Sequence, residues 1–104
     1  MADFVKVANT SDLASGQGKV VEVEGRAVAL FNCEGEFFAM DNVCAHRGGP
    51  LGEGFVDCAN RTVQCPWHGW TYELATAMSP VNPLARVEKF DVLVEGEEVK
   101  ISLE

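Results

Sequence analysis

Two short stretches constrain this chain more than anything else in it: Cys44-Ala45-His46 and Cys65-Pro66-Trp67-His68. Each begins with a cysteine and ends with a histidine, and together they hold the only two histidines of the sequence. The matching order reads as a metal site with two sulfur and two nitrogen ligands. Whatever the chain folds into must bring these stretches face to face, and the 18 residues between His46 and Cys65 allow one β excursion out and back. Such a ligand set suits either a structural zinc ion or an iron–sulfur centre. Common zinc fingers, however, place two cysteines in one half and two histidines on a helix in the other. Here each half supplies one of each, and Gly69-Trp70-Thr71-Tyr72 suits a turn into a strand.

The rest of the sequence has the texture of short strands joined by tight turns, with no sustained helical period. Asp3 to Ala8 alternates and opens as a strand, and Thr10-Ser11-Asp12-Leu13 caps one helical turn that Gly16-Gln17-Gly18 breaks. Lys19 to Glu24 and Arg26 to Asn32 form strands about a turn at Gly25; Glu34-Gly35 then turns into Phe37-Phe38-Ala39-Met40. From Asp41 to about Leu84 glycine is dense and all four prolines occur, the mark of loops fixed in unusual backbone shapes. Strand character returns over Arg86 to Val94, and Val92–Glu95, Gly96-Glu97 and Glu98–Ile101 make a closing hairpin. The layout is a β scaffold interrupted by one loop-rich insert that carries both motifs.

A chain of 104 residues makes one domain able to bury most of a single core without disulfides. Its longest unbroken apolar run is the five residues Ala27 to Phe31, far short of the roughly 20 that span a bilayer. Met1 to Asn9 lacks the basic start and apolar stretch of a signal peptide, so the expected compartment is a reducing cytoplasm. Sixteen acids against 8 bases leave a net charge of −8, which repels phosphate backbones and anionic lipid and favours a protein partner with a basic docking face. Solubility alone also accounts for such a charge.

Cys-x-His, 18 residues, then Cys-x-x-His resembles the Rieske family, whose [2Fe–2S] cluster has one iron on two cysteines and the other on two histidines. The likeness runs past the ligands, through Cys44-Ala45-His46-Arg47-Gly48-Gly49-Pro50-Leu51 and Cys65-Pro66-Trp67-His68-Gly69-Trp70-Thr71-Tyr72. It also covers the flanking strands and Ser79-Pro80-Val81-Asn82-Pro83, similar to the family's proline-bearing third loop over the cluster. The resemblance implies that Cys44 and Cys65 ligate one iron, and His46 and His68 the other. It implies an all-β fold: an antiparallel base sandwich over about 1–40 and 85–104, with a smaller loop-rich cluster-binding subdomain over about 41–84. Two ferric ions, two sulfides and two thiolates sum to zero charge with neutral imidazoles, where four thiolates would give −2. An electron is added at less cost to the neutral centre, so Rieske potentials exceed those of plant-type ferredoxins. The resemblance implies that the imidazole-bound iron would take that electron, and that His46 and His68, near a loop tip, would be the exit to a partner.

Departures from the family pattern refine this. High-potential members carry an extra cysteine in each motif, joined as a disulfide; the corresponding positions here hold Gly49 and Trp67. Where those members place a serine that donates to sulfide, this chain has Trp70, while the tyrosine position is kept as Tyr72, a donor to a cysteine sulfur. Fewer donors stabilise the reduced cluster less, which places the expected potential at the low end of the family, roughly −150 mV.

The remaining residues of note carry plainer expectations. Cys33 ends a strand as half-buried packing and Cys58 lies in the Asp57 to Arg61 turn; a disulfide between them runs against a reducing cytoplasm. Trp67 and Trp70 are core aromatics or a shield for the cluster, and Trp67 and Arg47 are candidates for a docking face. Phe37 and Phe38 belong to the core. Oxygenases of the family add a mononuclear iron on two histidines and a carboxylate, but both histidines here are already committed. The resemblance therefore implies a monomeric, soluble Rieske-type ferredoxin and no enzyme. It would carry single electrons from a flavin-containing NAD(P)H reductase to a terminal oxygenase that hydroxylates aromatic rings. Two rivals stand beside it: the small subunit of a nitrite reductase-like complex, and a zinc-binding interaction module.

Overall fold

The structure is a computed structural model that describes residues 4–42, 50–66, 71–79 and 86–102. Its strands are β1 (Val5–Asn9), β2 (Gln17–Val23), β3 (Arg26–Cys33), β4 (Glu36–Asp41), β5 (Phe55–Asp57), β6 (Thr62–Gln64), β7 (Thr71–Glu73), β8 (Lys89–Glu95) and β9 (Glu98–Ser102). Six of them form one sheet in the order β1-β9-β8-β4-β3-β2, every neighbouring pair antiparallel. The other three form a small antiparallel sheet, β5-β6-β7. The expected all-β architecture is therefore the observed one. The strands read from the sequence also recur, with ends moved by no more than three residues.

Turn chemistry sets the register of the larger sheet. Glu24 and Gly25 join β2 to β3 with φ of 51° and 81°, and Glu34 and Gly35 join β3 to β4 with 55° and 87°. Two consecutive left-handed residues give a turn whose twist matches that of the flanking strands, and glycine takes the second position without strain. The helical turn after β1 is a 3-10 turn, Thr10–Asp12, and it begins one residue earlier than its sequence suggests. Asn9 is the capping position, and its backbone N–H donates to the Asp12 carboxylate at 2.9 Å.

β3 and β4 are buried on both faces, which explains the apolar run through Ala27 to Phe31. Residues of one parity (Ala29, Phe31 and Cys33 on β3, Phe38 and Met40 on β4) pack with Leu51, Val63, Cys65, Tyr72 and Leu74 from the small-sheet side. Those of the other parity (Val28, Leu30, Phe37 and Ala39) pack with Val21, Val23, Phe90, Val99 and Ile101 inside the larger sheet. Phe37 and Phe38 are thus both core residues, in different cores. The hairpin is the wall between them, and pairs such as Phe31 with Phe38 and Leu30 with Ala39 face the same side.

One expectation is corrected here. Cys33 and Cys58 are joined by a disulfide, with Cα atoms 5.4 Å apart. Cys33 is fully buried rather than half-buried, because its side chain points to the covered face of β3 where the β5–β6 turn arrives. Linear separation concealed the pairing: 25 residues lie from one cysteine to the other, and only the folding of the small sheet onto β3 brings them together. The same junction holds an ion pair of Arg61 with Glu36 at 2.6 Å, and the Arg61 guanidinium lies 5.7 Å from the Phe38 ring centroid.

Phe31 is among the largest fully buried side chains and belongs to the core shared with the small sheet. Phe31→Ala should lower unfolding free energy by about 3–5 kcal/mol in denaturant titration. A loss below about 1 kcal/mol would mean that the hairpin does not hold the two layers together.

Candidate metal centre

The first motif belongs to residues 43–49, and the chain on either side of them is tied together. Asn42 is buried at the end of β4, and its backbone carbonyl accepts the Leu51 N–H at 2.8 Å. Its side-chain Oδ1 accepts the Gly52 N–H at 2.7 Å. One asparagine thus closes the base of the loop twice, while its own N–H donates to the Ala27 carbonyl at 3.2 Å. Leu51 is fully exposed to neither side: it is wholly buried in the core that also contains Cys65.

Cys65 follows directly on β6 and is 1 % exposed, packed among Leu51, Val63, Tyr72 and Leu74. It takes no part in the Cys33–Cys58 disulfide. β6 and β7 pair through Gln64 with Thr71 and Val63 with Tyr72, so residues 65–70, which carry the second motif, connect two strands of one hairpin. β5 pairs with β6 through Phe55 and Gln64. Between Glu53 and Phe55 the backbone runs so close to β6 that a Cβ on Gly54 would strike the Gln64 carbonyl oxygen. The exit of the first loop therefore lies against the residue that precedes Cys65.

A third loop closes nearby. Met78 and Arg86 form an isolated antiparallel bridge, the Val87 N–H donates to the Ala77 carbonyl at 2.9 Å, and the Glu73 N–H donates to the Met78 carbonyl at 2.8 Å. Ser79 is buried at the start of that loop. Three loops thus spring from fixed bases, and two of the bases touch.

Of the sequence-derived candidates, the structure places Cys65, Tyr72 and Ser79; all three are buried. Cys44, His46 and His68 lie outside the described residues, as do Arg47, Gly49, Trp67, Trp70 and residues 80–85. Asn42 was missed by sequence reasoning. Its signal was its place two residues before the first motif cysteine, but an asparagine there reads equally as a turn residue until its Oδ1 is seen to meet Gly52.

A model of the Rieske [2Fe-2S] domain matches residues 3–91. The chain belongs to that family. A naphthalene 1,2-dioxygenase system ferredoxin component from Pseudomonas aeruginosa is 31 % identical over 93 residues, which is 88 % of each chain. Among solved structures, a chain from the complex of reduced oxygenase and oxidized ferredoxin in carbazole 1,9a-dioxygenase is similar, with a TM-score of 0.86 and 28 % identity. The match covers 97 % of this chain and 94 % of that one. A putative NADH-dependent nitrite reductase small subunit from Mycobacterium tuberculosis superposes with a TM-score of 0.91 at 23 % identity, over 100 % of this chain and 97 % of that one. That last likeness speaks to the fold alone.

Of the residues that would hold this family's cluster, the structure describes Cys65, and its setting fits the role. It is buried in an apolar core, on a hairpin whose neighbouring strand leads back to the first motif, where a thiolate ligand would be shielded from water. The fully buried Tyr72 stands opposite Val63, two residues from that cysteine. Among the described residues no helix is long and apolar enough to cross a membrane.

The Rieske loops depend on their bases. Asn42→Ala leaves the Gly52 N–H without its buried acceptor and should lower stability by about 1–3 kcal/mol, with faster loss of visible absorbance under a chelator. A denaturation midpoint equal to the parent's would remove Asn42 as the fastening of the first loop.

Proposed function

We propose that this protein is the ferredoxin component of an aromatic-ring-hydroxylating oxygenase system. It works as a soluble, cytoplasmic, monomeric one-electron carrier that takes electrons from a flavin-containing NAD(P)H reductase and passes them to the terminal oxygenase. The observation that carries this reading is mutual coverage: the Rieske domain accounts for residues 3–91, and a relative matched over 88 % of both chains is itself named a ferredoxin component. The substrate chemistry belongs to the oxygenase, and this chain is the electron-transfer component rather than the catalyst. The nitrite reductase likeness, at 23 % identity, supports no function, and the family assignment leaves no place for a zinc module.

In this reading Cys44 and Cys65 hold one iron, and His46 and His68 the other. When bound, the cluster supplies a one-electron couple. The chain's own residues orient and shield it: Asn42 ties down the loop of the first pair, and Leu51, Val63, Tyr72 and Leu74 keep water from Cys65. The base sandwich comprises about 1–40 and 85–104, and the cluster-binding subdomain about 41–84. A net charge of −8 suits a partner whose docking face is basic, since opposite potentials steer encounter.

Reduction of the purified protein should bleach its visible absorbance and give a Rieske-type electron paramagnetic resonance signal; absence of both would contradict the function. Protein-film voltammetry should find a potential of roughly −150 mV, because Gly49, Trp67 and Trp70 supply neither the disulfide nor the serine of high-potential members. A value well above zero would sink that expectation.

Tyr72→Phe removes a hydroxyl donor near the cluster. It should lower the potential by about 20–60 mV, the one-electron equivalent of a single hydrogen bond, with the fold retained. An unchanged potential would take Tyr72 out of any role in tuning it.

A further inference from the structure

The Cys33–Cys58 bond lies outside the ligand set, and its position gives it work of its own. Cys33 is the last residue of β3, and Cys58 sits in the turn between β5 and β6. The second motif begins one residue beyond the other end of β6, at Cys65. The β5–β6 hairpin is therefore anchored at its turn by the disulfide and at its open end by a ligand cysteine. In sequence the two links interlock. The ring closed between Cys33 and Cys58 contains Cys44 and His46, and Cys58 in turn falls between the two motifs.

We propose that Cys33 and Cys58 form a reversible thiol–disulfide site, oxidised by low-molecular-weight disulfides, that locks the β5–β6 hairpin onto the β3–β4 hairpin and slows loss of the cluster. The cluster half of this statement rests on the function proposed above. Apart from the disulfide, the turn is fastened by the Arg61–Glu36 ion pair, with side chains 47 % and 55 % exposed, by the Arg61 guanidinium over the Phe38 ring, and by the packing of Val56 and Cys58 on the core. An exposed pair of that kind contributes little. The disulfide adds a covalent fastening to these contacts.

Access sets the order of events. Cys33 is 1 % exposed whereas Cys58 is only partly buried, so a small disulfide RSSR meets Cys58 first. The Cys58 thiolate attacks one sulfur, forming a mixed disulfide and releasing one RSH. Cys33 then attacks the Cys58 sulfur and releases the second RSH. Two S–H bonds and one S–S bond break, the same numbers form, and two electrons with two protons pass to the small disulfide. In the linked form the Cys58 sulfur lies 3.8 Å from the Asn32 carbonyl oxygen, which would be an acceptor for the thiol after reduction. Reduction by a monothiol must expel the Cys33 thiolate into an apolar core, where it is a poor leaving group, so reopening is slower than for an exposed disulfide. In a reducing compartment, bonds of this kind are transient and redox-sensing.

The test uses the cluster-loaded protein, treated with oxidised glutathione or with dithiothreitol. After denaturation and alkylation, peptide mass spectrometry counts the blocked cysteines, and cluster loss is followed separately as decay of visible absorbance under a chelator. After glutathione treatment only Cys44 and Cys65 should alkylate, and decay should be about three- to tenfold slower than in the reduced protein. A Cys33→Ser/Cys58→Ser double variant should decay at the reduced rate under both treatments. Because serine at buried Cys33 can unfold the chain, the decisive comparison is between the two forms of the unmutated protein. Alkylation of all four cysteines after oxidation, or equal decay of the linked and reduced forms, would overturn the proposal. Protein that forms the link but never shows cluster absorbance would overturn the functional reading, and the slowed decay with it, while the mass count would still support the thiol–disulfide site.

Discussion

The β3–β4 hairpin bears the constraint on which the rest of the structure depends: both its faces must be covered. A strand exposes alternate side chains to opposite sides, so an apolar run such as Ala27 to Phe31 sends one set of residues each way. One set is buried by the strands of the larger sheet. The other demands a second layer, and among the described residues the segment between β4 and β8 makes it. The three short strands of that segment are held in place by what they cover, since three-residue strands have little stability of their own.

That arrangement also accounts for the described residues that flank 43–49, 67–70 and 80–85. On each side they are held by backbone hydrogen bonds or a strand pair. Asn42 is the most economical of these ties, with one side-chain and one backbone acceptor engaged on consecutive N–H groups. A carrier that gains and loses electrons needs ligands that stay put in both states. Fixed loop bases, set on the buried cluster that includes Leu51, Cys65 and Tyr72, meet that need.

The disulfide shows the same logic in covalent form. It joins the wall of the larger sheet to the far end of the small one, where the other contacts include an exposed ion pair and a cation over an aromatic ring. It lies at the opposite end of β6 from Cys65, so it constrains the hairpin that carries that cysteine rather than the cysteine itself. The turn that carries Cys58 is shaped by Asp57, whose carboxylate accepts from the Ala59 and Asn60 backbone N–H groups and from the Asn60 side chain. The Asn60 side chain is the main reason its carboxyl lies below the usual carboxylate range.

The sequence by itself determined the kind of protein this is. Cysteine and histidine at fixed spacings marked the family through its motif, and glycine after glutamate at the Glu24–Gly25 and Glu34–Gly35 turns defines antiparallel hairpins by allowed backbone angles. Both are local properties, readable without knowing what lies across the fold. The interleaved apolar residues likewise announced strands, though not that one hairpin would divide two cores, because an unbroken apolar run looks the same whichever partner covers each face. Tertiary structure alone decided the partners: Cys58 for Cys33, Gly52 for Asn42, the Gln64 backbone for Gly54. Each joins residues that sequence leaves 10 or more positions apart. Such contacts depend on how the small sheet is laid on the large one, a matter of packing that no single residue encodes.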